Sequence, residues 1–99
     1  MEIDTDELTV HDNEDEGQYE IEYDGRLALL AYFRTGDRVV LVHTEVPEAL
    51  EGHGIAGRLA QHALEDARAK GLRVVPRCPY VQSYLEKHPE YADLVDASI

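Results

Sequence analysis

The sequence predicts an α+β domain in which a mixed, mainly antiparallel sheet is flanked by helices. Three observations predict it. Four β-prone runs separated by turn signals occupy the chain up to Val46, a long segment from Ile55 onward carries an apolar period of 3.6, and a fifth β-prone run then leads into short helical pieces. The 99 residues suffice for a single core, so residues 1–99 are read as one domain.

The first two runs are "LTV" (8–10) and "QYEIEY" (18–23), joined by the acidic loop "HDNEDEG". In the second, Tyr19, Ile21 and Tyr23 alternate with Gln18, Glu20 and Glu22, the pattern of a half-buried edge hairpin. After "DGR" comes "LALLAYF", and after "RTGD" comes "VVLVHTEV". Both are apolar on both alternating faces and read as central antiparallel strands buried on both sides. Pro47 and the glycines end the fourth strand. Ile55, Ala56, Leu59, Ala60, Ala63, Leu64 and Ala67 then share one helical face, with Lys70 and Gly71 as terminal charge and cap. "LRVVPRC" follows as the fifth strand, shortened by Pro76; Pro79 starts a helix that breaks at His88 and Pro89 before a second short helical piece.

Composition excludes several function classes. The acidic excess, 21 acidic against 9 basic residues and a formal charge of -12, opposes nucleic-acid and anionic-membrane binding, because the phosphate field repels the chain. No apolar run approaches the roughly 20 residues that span a bilayer. The acidic start "MEIDTDELTV" lacks the basic and apolar segments of a signal peptide, so the expected location is the cytoplasm. Cys78 is the sole cysteine, which rules out an internal disulfide and a cysteine-based zinc site. The histidines at 11, 43, 53, 62 and 88 show no helical ligand spacing, and no metal is expected.

The stretch "EGHGIAGR" (51–58) puts three glycines at the mouth of the long helix. A strand entering a helix through such a loop leaves backbone N–H groups unpaired and outward-facing, and the helix dipole adds attraction for a phosphate. Arg58, one turn inside, could add a charge-assisted bond. An anion cradle and a plain loop with a glycine for tight packing are equally consistent with these residues alone. No Lys-Ser or Lys-Thr follows the glycines, as a P-loop requires. A dinucleotide fingerprint also fails, because the preceding strands look antiparallel and the next strand ends in Pro76, Arg77 and Cys78.

From His43 onward, "HTEVPEALEGHGIAGRLAQHALEDARAKGLRVVPRCPYVQSYLEKHPEY" resembles the small GNAT-like N-acetyltransferase family, a minimal branch of the acyl-CoA-dependent N-acetyltransferases. The resemblance extends over residues 27–95, and its more specific part is the ending "PRCPY...HPEY". The superfamily loop pattern is matched by Gly52, His53, Gly54, Ile55 and Ala56, whereas Glu51 stands where Gln or Arg is usual. The resemblance implies the GNAT fold, an acetyl-CoA site and transfer of the acetyl group to a primary amine. The pyrophosphate would lie on residues 53–58, including Gly57 and Arg58. The pantetheine would run beside His43, Thr44, Glu45 and Val46, where the fourth and fifth strands diverge.

The same resemblance puts Cys78 at the end of the fifth strand near the acyl thioester, as acyl acceptor, proton donor or core residue. Direct attack by an amine needs a base and an acid. Glu45 is the candidate base, with His43 as alternative, and Tyr84 the candidate acid. A Ser-His-Asp triad is not supported, because Ser83 and Ser98 lie in the tail without a strained elbow. The expected partners are acetyl-CoA and an amine acceptor of unknown identity, and the expected state is a monomer or weak dimer. The alternative is a non-catalytic acyl-CoA-binding or interaction domain.

Overall fold

The computed structural model describes residues 8–96; residues 1–7 and 97–99, and with them most of the acidic start and Ser98, lie outside the described residues. Five strands form one sheet in chain order: β1 (His11–Asn13), β2 (Gln18–Tyr23), β3 (Arg26–Thr35), β4 (Arg38–Glu45) and β5 (Arg73–Pro76). β1 to β4 are antiparallel neighbours, and β5 lies parallel to β4 because α1 (Ile55–Lys70) returns the chain across the sheet. α2 (Pro79–Lys87) and a 3-10 segment (Pro89–Leu94) follow. The mixed, mainly antiparallel sheet with helices is the architecture expected.

Local chemistry accounts for the joints. Asp24 and Gly25, at φ of 52° and 73°, form the two-residue turn between β2 and β3, in which both central residues need the left-handed region. α1 ends on Gly71, whose φ of 69° lets its N–H reach the Arg68 carbonyl while the Leu72 N–H closes on Ala67 at 2.9 Å. Ile55, Leu59, Ala63, Leu64 and Ala67 of α1 enter one core cluster with Tyr19, Ile21, Ala28, Leu30, Val39, Leu41 and Val74 of the sheet. Val81 of α2 and Tyr91 and Leu94 of the 3-10 segment join that cluster.

Three expectations needed correction. The first strand is not "LTV" but His11–Asn13, inside the stretch read as a loop. A tight turn at Gly17, whose carbonyl accepts from the Tyr32 N–H at 2.8 Å, sets the hairpin three residues later than the apolar pattern suggested. Leu8 and Val10 still pack on the core, but from irregular chain. Second, β3 is buried on one face only. Ala28 and Leu30 are fully covered, while Leu27 and Phe33 on the other face are 39% and 54% exposed. The helices pack mainly against the face that carries Ala28 and Leu30, so among the described residues the second face of β3 is left partly open, while Val40 and Val75 beside it are covered. Third, Cys78 does not end β5: the strand stops at Pro76, as its shortening there anticipated, and the N–H groups of Arg77 and Cys78 both turn to the Leu41 carbonyl, at 3.0 and 2.9 Å.

Candidate functional site

The site begins with an irregularity in β4. Ala31 pairs with His43 and Tyr32 with Leu41, so Val42 is an extra residue in the ladder. Such a bulge bends its strand and raises its twist. The pairing of β4 with β5 covers only residues 38–41, and beyond Leu41 the two strands part. A slot is left beside residues 42–45, with one edge of β4 unpaired toward it. At its base the Thr44 hydroxyl lies 3.2 Å from the Cys78 sulfur. Cys78 is 2% exposed and caps α2 rather than ending β5.

The slot widens into two adjoining cavities of about 450 and 230 Å3 that share Val46, Glu51, Ala56 and Tyr80. Thr44 and Glu45 complete the first. Leu50, Gly52, Gly54, Ile55 and Gly57 complete the second, which lies over the start of α1.

That helix start is uncapped. Gly54 is the N-cap at φ 75° and no side chain accepts from the first turn. The Arg58 N–H closes on the Gly54 carbonyl at 3.0 Å, but among the described residues the N–H groups of Ile55, Ala56 and Gly57 have no acceptor. Free N–H groups with the positive end of a 16-residue helix behind them make an anion seat. Gly52 at φ 82° and Gly54 at φ 75° adopt backbone that L residues avoid, and a Cβ at either would project into open space. These groups fit a pyrophosphate, and the slot beside β4 offers backbone partners to a chain of amides. Gly57 differs: a Cβ there would come within 3.4 Å of the Tyr80 hydroxyl, so this glycine lets α2 pack close to α1.

Of the residues singled out in the sequence, Thr44, Glu45, Val46, Gly52, Gly54, Ile55, Ala56 and Gly57 line these cavities, and Cys78 lies against Thr44. Four candidates sit elsewhere. His43 is on the open face of the sheet, 3.3 Å from the Glu45 carboxylate. His53 is half-buried and does not line the cavities. The Arg58 guanidinium turns away to donate to the Leu8 carbonyl at 3.2 Å and ties down the N-terminal segment. Tyr84 stacks on His88 with centroids 4.0 Å apart.

The residue the sequence reading missed is Tyr80. It lines both cavities, one helical turn before Tyr84 and on the same face of α2. Pro79 at the helix start was the available signal, since it fixes Tyr80 in the first turn, nearest β4. Burial, and secondarily the neighbouring Cys78, raise the Tyr80 hydroxyl above the usual tyrosine range, so it holds its proton at neutral pH.

A wider recess of about 470 Å3 lies at the other end of the molecule, around Asp12, Tyr19, Tyr32 and Lys70. Four of its polar side chains are engaged with one another or with Asp66 of α1. Tyr19 donates to Asp66 at 2.6 Å, Tyr32 to Asp12 at 2.5 Å, and Lys70 to Asp66 at 2.9 Å. That network anchors α1 to the sheet. Among the described residues no group of three or more His, Cys, Asp or Glu is placed to hold a metal ion.

The profile of the GCN5-related N-acetyl-transferase family matches residues 18–94, from the start of β2 to the end of the 3-10 segment. The chain belongs to this family. Protein NATD1 of Homo sapiens is 43% identical over 63 residues, which are 63% of this chain and 56% of that protein. The same protein of Gallus gallus is 43% identical over 63 residues and 57% of its length. The stretch matched to these relatives therefore spans little more than half of each. Protein NATD1 of Danio rerio is 33% identical over 93 residues, 89% of this chain and 84% of that one. The NMR solution structure of a GCN5-like protein from Staphylococcus aureus superposes with a TM-score of 0.70 at 27% identity, covering 90% of this chain and 88% of its own. Family and architecture agree with the resemblance read from "EGHGIAGR" and "PRCPY...HPEY".

Proposed function

We propose that this chain binds acetyl-CoA in the slot between β4 and β5 and transfers the acetyl group to a primary amine. The observation that carries the reading is the conjunction of the uncapped α1 mouth with the parting of β4 from β5 at Leu41. Acetyl-CoA supplies an activated acyl thioester; the chain's own residues supply position and protons. The N–H groups of residues 55–57 take the pyrophosphate, and the free edge of β4 at residues 42–45 aligns the pantetheine arm.

Glu45, lining the wider cavity and paired with His43, accepts the proton that the attacking ammonium must lose. As the carbon–nitrogen bond forms and the carbon–sulfur bond breaks, the Tyr80 hydroxyl is placed to return a proton to the departing thiolate. Cys78, buried against Thr44, forms the floor of the slot and keeps water from it. Calorimetric titration with acetyl-CoA tests the seat, and release of free CoA in the presence of amines tests the transfer. A chain that binds but releases no CoA with any amine would be an acyl-CoA-binding module. Glu51, an acid near the phosphate seat, favours that second reading.

A further inference from the structure

The face of the sheet turned away from the helices carries exposed apolar side chains. Leu27, Leu29, Ala31 and Phe33 run along β3 on this face, the bulged Val42 and the buried Val40 adjoin them, and Leu27, Phe33 and Val42 are 39%, 54% and 37% exposed. Strand pairing puts acids on both sides of this stripe: Glu20 and Glu22 of β2 opposite Leu29 and Leu27, and Glu45 of β4 opposite Leu29 from the other side. We infer that this face seats the acceptor itself, a basic amphipathic helix of another protein whose flanking lysine is delivered to the slot.

Shape and charge select that occupant. A helix laid on the stripe would put its apolar face on β3 and the cations beside that face against Glu20 and Glu22 on one side and Glu45 on the other. From Leu27 to Phe33 the stripe is about 20 Å long at the strand rise, which matches roughly 13 residues of helix. At the edge of the same face a recess of about 530 Å3, lined by Leu27, Glu20, Glu22 and the chain from Leu8 to His11, has an apolar wall and two carboxylates. It suits a long alkyl-ammonium or guanidinium side chain. Bonds from Gln18 and Asn13 hold the Glu20 carboxyl below its usual range, so it stays charged. On the same face, Arg38 donates to Asp96 at 2.5 Å, and Arg73 beside it donates to the carbonyls of Asp93 and Val95.

The other occupants fit less well. A second copy, packed face to face across a two-fold axis, would bring these acids against their own equivalents. The chain's own first seven residues contribute Glu2, Asp4, Asp6 and Glu7 and no cationic side chain, so they would be repelled. Glu45 belongs both to this face and to the wider cavity, which makes the surface continuous with the reacting end of the slot. The inference rests on the proposed transfer for its meaning, but the face can be tested by itself.

The test uses the full chain and a fluorescein-labelled helical peptide with leucines on one face and lysines on both flanks, read by anisotropy. A control peptide replaces the leucines with serines. Phe33→Ser and the double variant Glu20→Gln with Glu22→Gln alter exposed or half-exposed positions, and circular dichroism checks that they fold. Each is expected to weaken peptide binding by about tenfold or more and to leave acetyl-CoA affinity and CoA release with spermidine unchanged. The control peptide should bind wild type at least about tenfold more weakly, because it lacks the apolar term. Equal binding of both peptides, or wild-type affinity in both variants, overturns the inference. So does a dimer in sedimentation that Phe33→Ser dissolves, since the face would then belong to a second copy. A wild type that binds the peptide but not acetyl-CoA would sink the proposed transfer and leave the docking face standing. Release of CoA with no preference for the peptide would do the reverse.

Discussion

The anion seat can be probed by a pair of substitutions that share their strain and differ in place. Gly54 and Gly25 have nearly equal φ, 75° and 73°, and a Cβ added to either meets nothing within 4 Å. Alanine in the left-handed region costs roughly 1–2 kcal/mol, partly offset because alanine also loses less freedom on folding. A net cost of about 1 kcal/mol lowers Tm by roughly 4–8 °C in a domain of this size. Gly54→Ala and Gly25→Ala should therefore unfold at similar temperatures. At Gly54, however, the new methyl stands at the mouth whose N–H groups take the pyrophosphate. Losing one charge-assisted bond there costs roughly 1.5–3 kcal/mol, or about 10- to 150-fold in affinity. At Gly25, in the β2–β3 turn, affinity for acetyl-CoA should not change. Differential scanning calorimetry gives the two Tm values and isothermal titration the two affinities. Matched loss of affinity in both variants, or none in Gly54→Ala, would refute the cradle.

Other expectations concern the protons and the frame. Tyr80→Phe should keep acetyl-CoA affinity and slow CoA release by roughly 10²- to 10⁴-fold, whereas Tyr84→Phe, which alters a ring stacked on His88, should leave turnover near wild type; steady-state kinetics separate the two. Intact mass after incubation with acetyl-CoA should show no adduct at Cys78, and Cys78→Ser should keep most turnover; an acetyl adduct would make the thiol a carrier. Asp66→Ala should destabilise by about 1–3 kcal/mol, because it strips the partner from the buried Tyr19 hydroxyl, as denaturant titration would show.

The pH dependence of stability follows from the same carboxylate. Burial pushes the Asp66 carboxyl up, but bonds from Tyr19 and Lys70 outweigh it and leave it lower than usual. Its contribution is therefore present above the ordinary aspartate range, near pH 4, and is lost as pH falls through the lowered folded value. Asp66→Asn should lie below wild type in stability at pH 7, and the gap should close in acid. A gap that widened toward low pH would contradict this sign.

The fold was legible where periodicity and turn chemistry agree. α1 followed from its stripe and from Gly71, and the β2–β3 hairpin from alternation around Asp24 and Gly25. β1 was misplaced because Leu8 and Val10 are apolar for packing without being in a ladder, whereas His11–Asn13 pair through backbone and carry no apolar signal. The apolar run in β3 suggested burial on both faces; composition cannot distinguish a second layer of the same chain from a surface left for a partner. Within the site, Gly52 and Gly54 were readable because their dihedrals demand glycine. Tyr80 was not, since choosing between two tyrosines one turn apart requires the angle at which α2 meets β4. Nor could the sequence show that Arg58, a cation close to a phosphate seat, is already held by the Leu8 carbonyl.

The central claim, that acetyl-CoA lies across the α1 mouth and along the free edge of β4, is tested most directly by amide-resolved NMR of the isotope-labelled chain during titration with acetyl-CoA. The account predicts saturable shifts concentrated at the amides of residues 52–57 and 43–46. Absence of shifts, or shifts centred on the recess around Asp12 and Lys70, would contradict it.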